Sequence, residues 1–155
     1  MISLLAFDTA AFVSLGHTDL LNVINENFTI LLTESIVEEL KEIAQRNDHD
    51  ASAAESWLKY SSSFFVEKAK KKKSAEDELF EICKRKNIPL VTDDIKAVKK
   101  FEDAITCFFS VHIVYLLYIK KLISQEKAVR SIEKMKTERD WKQNLIAVTG
   151  KFLFD

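Results

Sequence analysis

The chain has 155 residues, 47% of them hydrophobic and 11 of them phenylalanine, which suits one folded domain with its own core and excludes a disordered segment. Only two glycines and one proline occur, and neither GxGxxG nor a GxxxxGK loop ending in Ser or Thr is present, so the usual glycine-rich nucleotide cradles are excluded. A formal net charge of -1, from 23 basic and 24 acidic residues, neither demands nor forbids a nucleic-acid partner.

Residues 3–7, with Leu4, Leu5, Ala6 and Phe7, are apolar throughout and read as a central strand covered on both faces, ending at Asp8-Thr9. A helix over 10–15 stops near Gly16, and a second, over 18–25, carries Leu20, Leu21, Val23 and Ile24. Residues 28–32 form the next strand. Thr33 caps the helix after it, with Ile36, Val37, Leu40, Ile43 and Ala44 inward. Residues 47–50 read as a turn, 51–60 as a helix, 61–63 as a break and 64–66 as a short edge strand. A lysine run over 68–73 leads to the stretch SAEDELFEICKRKNIPLVTDD. Its Ser74 caps a helix with Glu76, Asp77 and Glu78 in the first turn, where negative charge suits the helix dipole. Pro89 disfavours helical geometry in the residue before it, so the helix stops near Asn87 and 88–91 read as a buried strand delivering Thr92, Asp93 and Asp94.

A short helix over 95–103, a strand over 105–109 and two amphipathic helices over 111–122 and 124–135 follow; 141–154 is weakly patterned and reads as a last helical turn or a tail across the sheet. Strands alternating with helices imply an α/β fold: a three-layer α/β/α sandwich with a central parallel sheet of about five strands, in a single domain over 1–155. Cys83 and Cys107 fall in apolar settings without a CxxC spacing and are expected as reduced thiols. The apolar start runs into Asp8 without the basic opening and long core of a signal peptide, and the stretch 108–119 is shorter than the roughly 20 residues that span a bilayer. A soluble, cytoplasmic chain with no membrane partner is the expectation.

The acids carry the chemistry. Asp8 leaves strand one, Glu39 sits on the helix after strand two, Asp77 lies at the start of the helix before strand four, and Asp93 or Asp94 leaves strand four. In a parallel sheet with strands one and four adjacent, about 4.8 Å apart, these can converge on one edge, where open α/β sheets bind ligands. Converging carboxylates repel one another unless a cation neutralises them, and Mg²⁺ or Mn²⁺ suits oxygen ligands. Two such ions are the standard apparatus for phosphodiester hydrolysis by an activated water. Taken singly, each acid also suits a plainer role: a cap, a dipole partner or a solvated surface charge.

The ordered segments resemble those of the PIN-domain family of metal-dependent ribonucleases. LAFDTAAFVSL, from Leu5, is similar to the family's opening strand, acid and helix, and TESIVEEL, from Thr33, to its second segment, whose acid precedes a leucine and so selects Glu39 over Glu38. SAED, from Ser74, resembles the helix start whose acid lies three residues after the cap, Asp77; LVTDD, from Leu90, resembles the fourth segment and favours Asp94, with Asp93 open. The resemblance covers nearly the whole chain; its departures are Ala10, where many relatives are polar, and Ile95-Lys96, where an aromatic or arginine is common.

The resemblance implies an endoribonuclease using Mg²⁺ or Mn²⁺ held by Asp8, Glu39, Asp77 and Asp94, with Thr9, Thr92 and Asp93 in support. It also implies RNA as substrate, a homodimer and, in its VapC-like branch, a toxin with an antitoxin partner. Lys70, Lys71, Lys72, Lys73 and Lys96, extended by Lys99 and Lys100, are the candidate phosphate contacts, against a plain reading as solvated charge. Trp57 and the helices over 111–135 are the candidate dimer surface. The rival is a catalytically inactive PIN-fold module that binds RNA or protein. A phosphoacceptor receiver domain fits poorly, because Asp8 stands alone after strand one and the acid pair follows strand four.

Overall fold

The computed structural model describes residues 3–68, 74–141 and 144–154. At its centre is β1, Leu4–Phe7, whose Leu5, Ala6 and Phe7 are all fully buried, as a strand covered on both faces requires. On one side it pairs in parallel with β2, Thr29–Thr33, and β2 in turn with β3, Phe65–Glu67. On the other it pairs with β4, Leu90–Val91, through Ala6 opposite Leu90 and Phe7 opposite Val91; β5, Cys107–Phe108, completes that side. The order is β3-β2-β1-β4-β5, all parallel. The chain first builds outward from β1 to β3 and then crosses back to β4. The order therefore reverses between β1 and β4, which is the crevice where ligands bind in such sheets.

Among the described residues nine α-helices flank the sheet, giving the three-layer sandwich expected from the alternation. On one face are α1 (Thr9–Gly16), α3 (Glu34–Ala44) and α4 (His49–Leu58), preceded by α2 (Leu21–Asn27) in the α1–β2 connection. Phe7, Phe12 and Trp57 pack there, with Phe12–Trp57 centroids 5.2 Å apart and Trp57 fully buried. Gly16 is required where α1 meets α4: a Cβ on it would lie 2.6 Å from the Ala53 carbonyl oxygen. Between α5 (Ala75–Lys86) and α6 (Ile95–Phe101), Phe80 stacks on Phe101 at 4.1 Å. The remaining helices are α7 (Ser110–Ile119), α8 (Gln125–Glu138) and α9 (Leu145–Leu153), with α7 packing against both of the others.

Local chemistry sets the boundaries. Asp8, Thr33, Asp48, Ser74, Asp94, Ser124 and Asn144 each accept a backbone N–H at a helix start. Asn87 ends α5 in the left-handed region at φ 54°, which asparagine tolerates better than most residues. Two expectations change. Residues 47–50 are not simply a turn, because Asp48 caps Ala51 N and helix α4 begins at His49. The segment after Trp141 yields a nine-residue helix that packs on α7, rather than a single turn or a tail across the sheet. Its Gly150 leaves room for Ile132 and Val111, which would lie 3.0 and 3.2 Å from a Cβ. Cys83 and Cys107 are both free thiols. No helix among the described residues is long and apolar enough to cross a membrane.

Candidate functional site

Asp8 leaves β1 and caps α1, accepting Ala11 N at 2.9 Å on one carboxylate oxygen. The Thr92 hydroxyl, fully buried at the exit of β4, donates to the other. Thr92 Oγ1 also accepts Asp94 N at 3.0 Å, so one side chain ties the exits of the two central strands together. Asp94 caps α6 by accepting Lys96 N at 3.0 Å and Ala97 N at 3.2 Å on the same oxygen. From the other side of β1, Thr9 Oγ1 donates to Glu39 Oε2 at 2.6 Å, bringing α3 to the start of α1. Glu38 points away and pairs with Lys41 at 3.4 Å, in the open.

Asp93 and Asp94 have separate tasks. Asp93 turns inward and accepts Ser110 N at 2.8 Å and Ser110 Oγ at 2.5 Å, pinning the start of α7. Burial raises its pKa above the ordinary carboxylate value. The two bonds from Ser110, the nearby Ser14 hydroxyl and the Arg139 charge oppose that rise. Ser14 Oγ, buried near Asp93, has no hydrogen-bond partner among the described residues. Asp94 remains exposed at the edge.

Asp8 feels the same edge. Burial of its carboxyl pushes the pKa up to about 7, against the lowering by the Thr92 and Ala11 bonds, and the charges of Asp93 and Asp94 add to the rise. The residue as a whole keeps some solvent contact, so the enclosure is that of the carboxylate rather than of the whole side chain. An acid held neutral up to this range marks a place where negative charge lacks compensation.

Asp77 stands apart. It lies in the first turn of α5 as expected, but its carboxylate is 3.3 Å from Lys100 Nζ on α6. A protein cation therefore already neutralises one of the four acids expected to converge. Among the described residues no group of three or more His, Cys, Asp or Glu side chains stands close enough to hold a metal ion. The donor chemistry nevertheless fits a hard cation: carboxylates and hydroxyls, with Glu39 Oε1 and Asp94 Oδ2 accepting no hydrogen bond from described residues.

The remaining expected contacts divide. Lys70, Lys71, Lys72 and Lys73 lie outside the described residues. Lys96 and Lys99 are exposed on α6, beside Asp94. Trp57 is fully buried against Phe12, which removes it from any dimer surface. Sequence reasoning missed Ser110 and Arg139. For Ser110 a signal was there to find, since a serine just after a strand often marks a helix start.

No protein-family model and no curated protein matches the sequence. The fold is similar to a PilT N-terminus domain protein from the hyperthermophilic archaeon Sulfolobus solfataricus, with a TM-score of 0.51 at 14% identity, covering 71% of this chain and 89% of that one. The PilT N-terminus domain is the PIN domain, so the likeness establishes a PIN-type fold.

Proposed function

We propose that the chain is a Mg²⁺- or Mn²⁺-dependent endoribonuclease whose centre lies in the crevice between β1 and β4. The observation that carries the reading is the pair of hydroxyl links, Thr92 to Asp8 and Thr9 to Glu39, with Asp94 N bonded to the same Thr92 hydroxyl, which tie acids from three separate segments to the exits of β1 and β4. Asp8, Glu39 and Asp94 would hold the cation once their carboxylates draw together around it, since as they stand no three acids among the described residues are close enough. Asp77 would join them by exchanging its pair with Lys100 for the cation, a pair between partly exposed groups worth on the order of 1 kcal/mol or less.

When bound, the cation supplies polarisation of the phosphate and a lowered pKa for water. The chain's own residues do the rest. Thr92 fixes the rotamer of Asp8 and the backbone of Asp94 together, so that two acids keep one geometry. Thr9 holds Glu39 in register with α1. Asp93, engaged with Ser110, is a positioning residue that locks α7 to the exit of β4. The lysines over 70–73, with Lys96, Lys99 and Lys100, would track the RNA backbone. A VapC-like toxin with a protein antitoxin covering the acidic edge, a homodimeric assembly and a cytoplasmic location are the finer version of this reading.

The Asp77–Lys100 pair favours a second reading, a PIN-fold module that binds RNA without cutting it, because it satisfies one of the four acids with a protein cation. Cleavage of labelled RNAs with Mn²⁺, Mg²⁺ or EDTA separates the two. The nuclease reading expects metal-dependent cutting lost in Asp8→Asn. Tight RNA binding with no cutting under any metal selects the module.

A further inference from the structure

A second charged site lies at the other end of α1. His17 caps the C-terminus of the helix whose N-terminus Asp8 caps. Beside it is a pocket of about 330 Å³ lined by His17, Thr18, Asp19, Lys127, Arg130, Ser131 and Lys134. Three permanent cations face one carboxylate there, in a chain whose net charge is -1. The three fall on one face of α8 at i, i+3 and i+7, the spacing that makes a single stripe.

The floor of this pocket is built rather than incidental. The His17 side chain is only 5% exposed, and its Nε2 lies 2.9 Å from Asp50 Oδ1. Arg139 in turn holds Asp50 through its other oxygen at 3.3 Å. The imidazole is therefore fixed at the pocket base by a chain of two ion-pair partners from α4 and the end of α8. The cations at the rim are held less firmly. Lys127 is 3.9 Å from Asp19, which is 80% exposed, and Arg130 is 3.7 Å from an open Glu126. Both distances exceed a hydrogen bond, and exposed pairs of this kind contribute about 0–1 kcal/mol. Lys134 is the exception, at 2.9 Å from Glu138. Two cations are thus free to turn to an incoming anion.

We propose that this pocket binds a phosphomonoester group through Lys127 and Arg130 above the His17 floor. A phosphomonoester carries a charge of about -1.5 to -2 near pH 7, against -1 for a backbone diester. Lys127 and Arg130, whose own partners are exposed and beyond hydrogen-bond distance, bring two positive charges to match the former, while Lys134 stays with Glu138 at the pocket wall. The group has two sources, a free nucleotide or the phosphorylated end of an RNA. The pocket sits at the opposite end of α1 from the acids, so it acts apart from the cation centre and does not depend on cleavage.

The test is calorimetric titration of the full chain at low salt with inorganic phosphate, adenosine 5′-monophosphate, dimethyl phosphate, and one short RNA with either a 5′-phosphate or a 5′-hydroxyl. Phosphate and the monophosphate are expected to bind at least tenfold tighter than dimethyl phosphate. The Lys127→Gln/Arg130→Gln double variant, which changes one exposed and one partly exposed side chain, is expected to lose that binding at least tenfold with unchanged thermal unfolding; Lys59→Gln, at the exposed C-terminal end of α4 and not among the pocket residues, keeps it. Preference for the 5′-phosphorylated RNA over both its hydroxyl form and the free nucleotide makes the source an RNA end; equal affinity for nucleotide and phosphorylated RNA makes it a free nucleotide. Equal binding of monoester and diester, or monoester binding that survives the double substitution, overturns the proposal. So does no binding at all.

Discussion

The two ends of α1 hold charge in opposite ways. At the N-terminus, Asp8, Glu39, Asp93 and Asp94 are held by neutral donors: threonine and serine hydroxyls and backbone N–H groups. At the C-terminus, Asp50, Arg139, Lys127 and Lys134 each face an opposite charge, and His17 meets an Asp50 oxygen. Neutral donors orient carboxylates without cancelling their charge; at Asp8 burial raises the pKa, the neighbouring acids add to the rise, and the Thr92 and Ala11 bonds only partly oppose it. Ion pairs cancel charge firmly where Arg139 meets Asp50 and only loosely at Lys127 and Arg130. The acidic end has no such ion pair at Asp8, Glu39 or Asp94 among the described residues, and that is where a metal ion changes most.

The largest expected effect comes from neutralising the acidic end. Asp8→Asn keeps the cap, since asparagine caps as well as aspartate, but loses the charge; RNA cleavage is expected to fall by about a thousandfold or more, roughly 4 kcal/mol of barrier. Thr92→Val should follow, because it frees both Asp8 and Asp94 from one anchor; a loss of about tenfold to a hundredfold in cleavage is expected, with RNA affinity little changed. Gly16→Ala strikes the connection between the two ends rather than either of them. Its Cβ meets a backbone carbonyl, so a loss of about 1–3 kcal/mol in denaturant unfolding is expected.

The pH dependence sharpens the contrast. Asp8 in the folded chain binds its proton more tightly than in the unfolded chain, so the folded state carries the extra proton between pH 3.8 and about 7. Stability attributable to Asp8 is full below that window, falls as pH rises through it and is level above. Asp8→Asn therefore gains on wild type as pH rises, by about 2 kcal/mol at pH 8 after allowing for partial solvent contact. Thermal unfolding of both proteins at pH 5 and 8 checks the sign. The smallest effect is Lys100→Gln, which removes one cation from beside Asp77; Mn²⁺ affinity is expected to rise a few-fold at most, within the range of a surface ion pair.

Much of this was legible in the chain. The uninterrupted apolar residues at 4–7, the caps at Thr33 and Ser74 and the Pro89 boundary each rest on local chemistry, and the strands, helices and topology class follow from them. The distinction between Glu38 and Glu39 rested on the family resemblance, and the structure turns Glu39 to Thr9. What stayed hidden depends on how distant elements meet. The partner of Asp77 is decided by the packing of α5 on α6, and that of Asp93 by where α7 begins. Helix α9 was obscured by Gly150, a poor helix former that is needed there for contact with Ile132 and Val111. The basic stripe of α8 could be read as a helix face, but His17 and Asp50 join it only through the fold.

The most direct test of the acidic centre is Mn²⁺-dependent cleavage of a labelled RNA panel by the wild-type chain and by Asp94→Asn, with EDTA as control. Cutting that requires the metal and disappears in the variant is the result the electrostatic argument predicts. Cutting that persists in EDTA, or that Asp94→Asn retains in full, would contradict it.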